Sequence, residues 1–180
     1  KQRTLRLDGD IKLSLWPNIG ANLGKLSLSE FKSGQEFLAI ENARVSLKIL
    51  PLLSKQVVVD EVSITGARAN LVRFKDGRMN IDDLLSKDEE EEQIKFDIAH
   101  VAIENAALSF RDEAKGAQYA LSKVNLKTGR IAPGVPGKIE LSFAAQGNQP
   151  RIKLDTSLKT LLTFDLDQQV YSLEDLELKA

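Results

Sequence analysis

The chain has 180 residues, 25 basic and 26 acidic side chains, a net charge of −1 and no cysteine. With 42% hydrophobic and 28% charged residues it has ordinary globular usage, which argues against disorder throughout, and its length suits one domain. Near-neutral charge leaves no basic footprint for nucleic acid, and the missing cysteines exclude disulfides, thiolate nucleophiles and cysteine-held metals.

Taken in chain order, the pattern is one of strands. Ile11, Leu13 and Leu15 alternate with Asp10, Lys12 and Ser14. From Asn42 to Ile49 the alternation is unbroken, with Ala43, Val45, Leu47 and Ile49 against Arg44, Ser46 and Lys48. Ile139-Leu141-Phe143, Ile152-Leu154 and Leu162-Phe164-Leu166 repeat it. A period of two means strands with one apolar and one wet face, and favours antiparallel pairing.

A second pattern is laid over the first. The octad apolar-x-apolar-x-x-apolar-x-apolar occurs at Leu38–Val45, Val57–Ile64, Phe96–Ile103, Tyr119–Leu126 and Tyr171–Leu178, with a weaker copy at Ala21–Leu28. On a helix these positions scatter around the cylinder. On a strand, the extra polar residue at the centre flips the phase unless a bulge or kink restores it. Each octad is therefore read as one bent strand, and their irregular spacing as an array of hairpins, not a propeller or tight solenoid.

Two short helices are expected. Pro51 at a first-turn position starts one, and Asn80 caps another through Leu85, with Asp83 three residues on. The acidic run at residues 88–92 lacks the glycine and alternating oxygen ligands of a calcium loop and reads as a solvated linker. The division is then 1–86, an acidic linker at 87–93, and 94–180 continuing the same sheet.

Catalysis finds little support. His100 is the one histidine and falls at the centre of an octad, there is no Gly-x-Ser-x-Gly elbow, and Asp82 and Asp83 diverge by about 100° on a helix. Gly20-x-x-x-Gly24 lacks the Lys-Ser/Thr of a phosphate loop. The expectation is a protein that is not an enzyme and needs no cofactor or metal. No stretch reaches the ~20 apolar residues of a membrane helix. A sheet with one apolar face and two brief helices must be covered by a second sheet, by a partner or by an apolar ligand.

Several blocks resemble the bacterial AsmA-like family. They are Leu7–Pro17, Phe37–Leu47, Leu50–Ser54, Val57–Ala67, and Phe96–Val101 through to Ser109–Asp112, in that order. The resemblance covers residues 5–126, with the remainder a generic repeat. It implies a periplasmic part of a Gram-negative envelope protein, held in the inner membrane by an N-terminal helix that trimming has removed. It also implies kinship with the chorein-type bridge-like lipid transfer proteins, whose β-grooves are thought to carry phospholipid between membranes.

The expected fold is thus all-β, a curved antiparallel sheet of hairpin repeats forming an open groove. About twelve strands would make it on the order of 58 Å long. Leu47, Val62, Ile64, Ile98, Leu121, Leu141 and Phe143 are the expected lipid-binding residues, while Arg44, Lys48 and Glu140 face water. The expected partners are phospholipid, the inner membrane through the missing anchor, and other envelope proteins. The alternative function is a scaffold for outer-membrane proteins, acting by strand addition at an open edge.

Overall fold

The computed structural model describes residues 2–15, 18–53, 58–85, 97–165 and 168–180. The acidic linker, Trp16-Pro17 and the first residues of the octads at Val57 and Phe96 lie outside these. The described chain forms β1 (Leu5–Asp8), β2 (Lys12–Ser14), β3 (Ile19–Leu23), β4 (Lys25–Ser29), β5 (Glu36–Ile40), β6 (Asn42–Leu47) and α1 (Ile49–Leu53). It continues through β7 (Val59–Thr65), β8 (Arg68–Arg73), α2 (Asp82–Leu85), β9 (Ile98–Asp112), β10 (Ala117–Thr128), β11 (Gly137–Asn148), β12 (Arg151–Asp165) and β13 (Val170–Lys179). All thirteen strands belong to one open sheet, and the two helices have five and four residues.

The strand count overstates the width. β4, β5 and β8 pair in sequence along one half of the sheet, while β3, β6 and β7 pair along the other. Each of β1–β2, β3–β4, β5–β6 and β7–β8 is one long strand broken at a kink. Nine strands therefore lie side by side, β1-β4-β5-β8-β9-β10-β11-β12-β13 along the first half. At ~4.8 Å per strand the sheet is about 43 Å across, shorter than the 58 Å expected from sequence.

The kinks fall in register across the sheet and form a seam. Gly9 and Gly24 face each other so closely that a Cβ on Gly9 would stand 3.4 Å from the Gly24 Cα. Next to them, Glu41 turns the chain from β5 into β6 and donates its N–H to the Thr65 carbonyl at 3.1 Å. Gly66 follows at φ 66°, donating its N–H to the Glu104 carbonyl at 2.9 Å. Asn105 and Lys123 continue the line at φ 52° and 51°. The register shift between Ser122 and Asn125 marks the bulge, and the Asn125 Oδ1 accepts the Asn105 N–H at 3.0 Å. Gly24, Glu41 and Lys123 are at polar centres of octads, so the kink expected from the phase flip is present there. Gly66 and Asn105 lie just past the octads beginning at Val57 and Phe96, and the centre of the first of these is marked instead by a bulge opposite Ser46 and Leu47. A further bulge at Asp175, φ 52°, does the same for β13.

Gly66 is the tightest point of the seam, because a Cβ there would overlap the Glu41 carboxylate, which pairs with Arg68. The side chain of Glu41 can swing away, but the left-handed backbone remains costly for any other residue. Gly66→Ala is expected to cost about 1–2 kcal/mol, read as a lower urea midpoint. An unchanged midpoint would mean that the seam relaxes without strain.

One junction departs from the antiparallel expectation. β7 and β8 both run parallel to β9, Val59 opposite Ile98 and Arg73 opposite Asp112, with the register kept across the kink. The association of parallel strands with two covered faces arises where helices pack on both sides. A single-layer sheet has no such layer, so an alternating strand can pair in either sense.

α2 is also held differently from expectation. The Asn80 side chain does not cap it. Its Nδ2 donates to Glu30 Oε1 at 2.7 Å and to the Asn70 carbonyl at 2.8 Å, while its Oδ1 accepts the Val72 N–H at 2.9 Å. Asn80 thereby stands in for a strand where β5 and β8 part. Asp82 performs the local turn, accepting the Met79 N–H at 2.9 Å. Asp83 is bound on both oxygens by Arg3, at 2.7 Å each.

Candidate functional site

Cross-strand partners share a face, so the face of each side chain can be followed strand by strand. Leu47 pairs with Ile19 and Val59, Val62 with Val45 and Val101, and Ile64 with Ala43 and Ile103. Ile98 pairs with Val59, which keeps it on that face. Ile103 pairs with Leu126, and Leu126 with Leu141. Beyond the bulge, Leu121 pairs with Leu108 and Ala145, while Phe143 lies between Leu141 and Ala145 on β11 and pairs with Thr156. All seven residues singled out from sequence therefore lie on one face, on both sides of the seam.

The opposite face is wet. Arg44 pairs with Asn22 and Ser63. Lys127, Glu140, Lys159 and Glu177 are successive register partners that form a ladder of alternating charge across β10 to β13. The Glu140 carboxyl is held below its ordinary range by the Lys138 ammonium, 2.7 Å away, with further help from Lys159. Such exposed pairs add little stability, but they fix which face meets water. His100 is exposed on β9 opposite Glu61, itself the partner of Ser46 on the wet face. A cleft of about 620 Å³ opens beside Asn70, Ser109, Gln118 and Gln146, and Leu71, Phe110 and Tyr119 also line it.

Nothing among the described residues closes over the apolar face. Among the described residues no large side chain is fully buried, and the buried apolar ones are Phe37, Ala43, Ala117 and Ala132. A sandwich core would hold fully buried leucines and phenylalanines. The accessible surface is 12915 Å², where a compact chain of this mass exposes about 8,700 Å². Leu121, Leu141 and Phe143 are nevertheless half-buried. Side chains of a curved sheet shield one another, so the middle of the face is partly covered and its two edges are bare. Leu13 on β2 is 73% exposed and Leu178 on β13 is 62% exposed.

The arrangement offers a continuous hydrocarbon surface, with no convergent set of nucleophile, base and acid among the described residues. The face also takes in Leu28 and Leu38, the apolar ends of two octads, and Leu71 and Leu158, which sequence reasoning left out, each a register partner on the same side. A signal for the seam was present: Ile40-Glu41-Asn42-Ala43 recurs unchanged as Ile103-Glu104-Asn105-Ala106. Both copies sit at kinks.

Comparison with known proteins gives two findings. A model of the AsmA family matches residues 1–174. Protein AsmA of Escherichia coli (strain K12) is 29% identical over 116 residues, covering 61% of this chain and 19% of the relative. The chain thus spans about a fifth of the length of that curated relative.

Proposed function

The chain belongs to the AsmA family, and on that footing we propose that it is a non-enzymatic envelope protein whose apolar sheet face holds phospholipid acyl chains in transit between inner and outer membranes. The observation that carries this reading is the register-matched, uncovered apolar face spanning nine strands. Hydrocarbon is what such a face accepts, because each CH₂ withdrawn from water is worth ~0.8 kcal/mol. Its width of about 43 Å exceeds the ~30 Å apolar thickness of a bilayer, enough for the chains of one or a few lipids. The face carries few fixed polar groups, so headgroups stay in water at the rim and selectivity among them is low.

Among the described residues no helix is long and apolar enough to cross a membrane. On this reading, attachment to the inner membrane is supplied by a segment outside these residues, with the sheet on the periplasmic side. A second reading, assembly of outer-membrane proteins by strand addition, draws on the exposed β13 edge.

Native mass spectrometry of the chain purified from cells under mild conditions separates the two. The lipid reading expects adducts with phospholipid masses that are lost when the apolar face is made polar. A protein free of lipid both as purified and after incubation with phospholipid vesicles would overturn it. A bound extended peptide would favour strand addition.

A further inference from the structure

One strand cation belongs to the apolar face. Arg73 is the last residue of β8, two beyond Leu71, and its register partner is Asp112, two beyond Phe110 on β9. Leu71, Phe110 and Tyr119 form an apolar row across β8, β9 and β10, and the two rings stack with centroids 6.3 Å apart. Arg73 therefore stands just past that row, at the margin of the face where β8 and β9 end. Every other strand cation with a register partner falls on the wet face, including Arg68 on the same strand and Arg111 on the next.

Asp112 does not account for this placement. Its Oδ1 accepts the N–H groups of Ala114 and Lys115, at 3.0 Å each, and so shapes the turn after β9. The Arg73 Nη1 stands 3.7 Å from the Asp112 Oδ2, beyond hydrogen-bond length. Among the described residues the Arg73 guanidinium makes no hydrogen bond, and its side chain is 46% exposed. A fork of N–H donors is thus left open beside a hydrocarbon surface. Lys75 and Lys115, in the turns that follow β8 and β9, are also exposed and in no ion pair among the described residues. The opposite margin differs. There the face ends on Leu47, Val59 and Ile98, and the cations just beyond are taken, Lys48 by Asp60 at 3.8 Å and Arg130 by Asp97 at 2.8 Å.

We infer that Arg73 binds the phosphate of a phospholipid held on the apolar face, so that the headgroup lies at the β8–β9 margin and the acyl chains run down the strands toward the seam. The inference rests on the lipid reading above and adds an orientation to it. A guanidinium meets two phosphate oxygens at once with its planar fork, and such charge-assisted bonds are the strong ones. A long hydrocarbon with an anion at one end satisfies both the face and Arg73, whereas a plain hydrocarbon leaves the arginine unpaired. Because the phosphate is common to phospholipids, the contact fixes orientation without selecting among headgroups.

The test compares phosphatidylglycerol with diacylglycerol of the same acyl chains, each delivered to the purified chain from one non-ionic detergent. The native chain is expected to bind phosphatidylglycerol about ten-fold more tightly, the worth of one charge-assisted contact. Arg73→Gln should lose that advantage and keep its affinity for diacylglycerol, and Arg73→Lys should retain most of it. Glycerophosphate, the anion without chains, should not compete at the lipid's concentration. A chain that binds neither lipid would overturn the lipid reading itself. Equal binding of the two lipids by the native chain, an Arg73→Gln variant that keeps the preference, or effective competition by glycerophosphate would overturn the role of Arg73 alone. A second readout needs no substitution. Phospholipids carrying a photoreactive group beside the phosphate should label residues 74–78 and 113–116, and those carrying it at the chain end should label Ile64 and Ile103 near the seam. The reverse pattern, or equal labelling by both probes, would overturn the orientation.

Discussion

Leu141→Asp and Phe143→Asp are expected to reduce phospholipid capture by roughly ten-fold or more while the chain stays folded. Both residues lie on the apolar face, half-buried among neighbours and under no second layer. In the empty sheet a carboxylate at either place still reaches water. Once an acyl chain lies over it, the carboxylate must either lose water or push the chain away. Displacing even two methylenes forfeits about 1.6 kcal/mol, which corresponds to the ten-fold loss. A closed core behaves differently, because an unpaired buried charge costs several kcal/mol and unfolds the domain. Thermal melts and lipid capture measured on the same variants separate the two cases. Lys127→Asp, on the wet face, is the matched control and should leave capture unchanged.

Arg3→Met is expected to be the most damaging single change to stability, lowering the melting temperature by roughly 5–10 °C. The Arg3 side chain is only 6% exposed. Its guanidinium donates to both Asp83 oxygens and to the carbonyls of Ser29, at 2.9 Å, and Asn80. It also stands 4.9 Å from the centre of the Phe37 ring. Methionine fills much of the volume but satisfies none of these acceptors, and the N-terminal segment then loses its tie to the α2 hairpin.

The pH dependence has a definite sign. The hydrogen bond from Arg3 holds the Asp83 carboxyl below its ordinary range. A depressed folded value means that the stabilisation is fully present above the unfolded carboxylate value near ~4, and is lost as pH falls through the folded one. The difference in melting temperature between the native chain and Arg3→Met should therefore hold steady at neutral pH and shrink only in acid below about pH 4. A gap that shrank on the alkaline side would contradict this assignment.

The face and its kinks were legible because both are local. Alternation at Ala43, Val45 and Leu47 depends only on the period of a strand, and the polar pair inside each octad marks where that period breaks. The parallel junction was less accessible, since alternation is silent on strand direction. A trace of it existed nonetheless: the offset between Val59 and Ile98 equals the separation of the octads beginning at Val57 and Phe96. Asn80 and Asp83 were read as a local cap because their spacing suits one. Their true partners, Glu30, Asn70, Val72 and Arg3, come from other elements that only the folded sheet brings near. The width was overestimated for a related reason. How many strands lie side by side depends on which segments line up across the sheet, and alternation within a strand does not record that.

Photo-crosslinking amino acids placed one at a time along the sheet test the central claim most directly. Positions Leu47, Val62, Leu121 and Phe143 sample the apolar face on both sides of the seam, and Arg44, Lys127 and Glu140 sample the wet one. With phospholipid present, the account predicts lipid adducts at the first four positions and none above background at the other three. Equal labelling of the two sets, or labelling confined to the wet face, would contradict it.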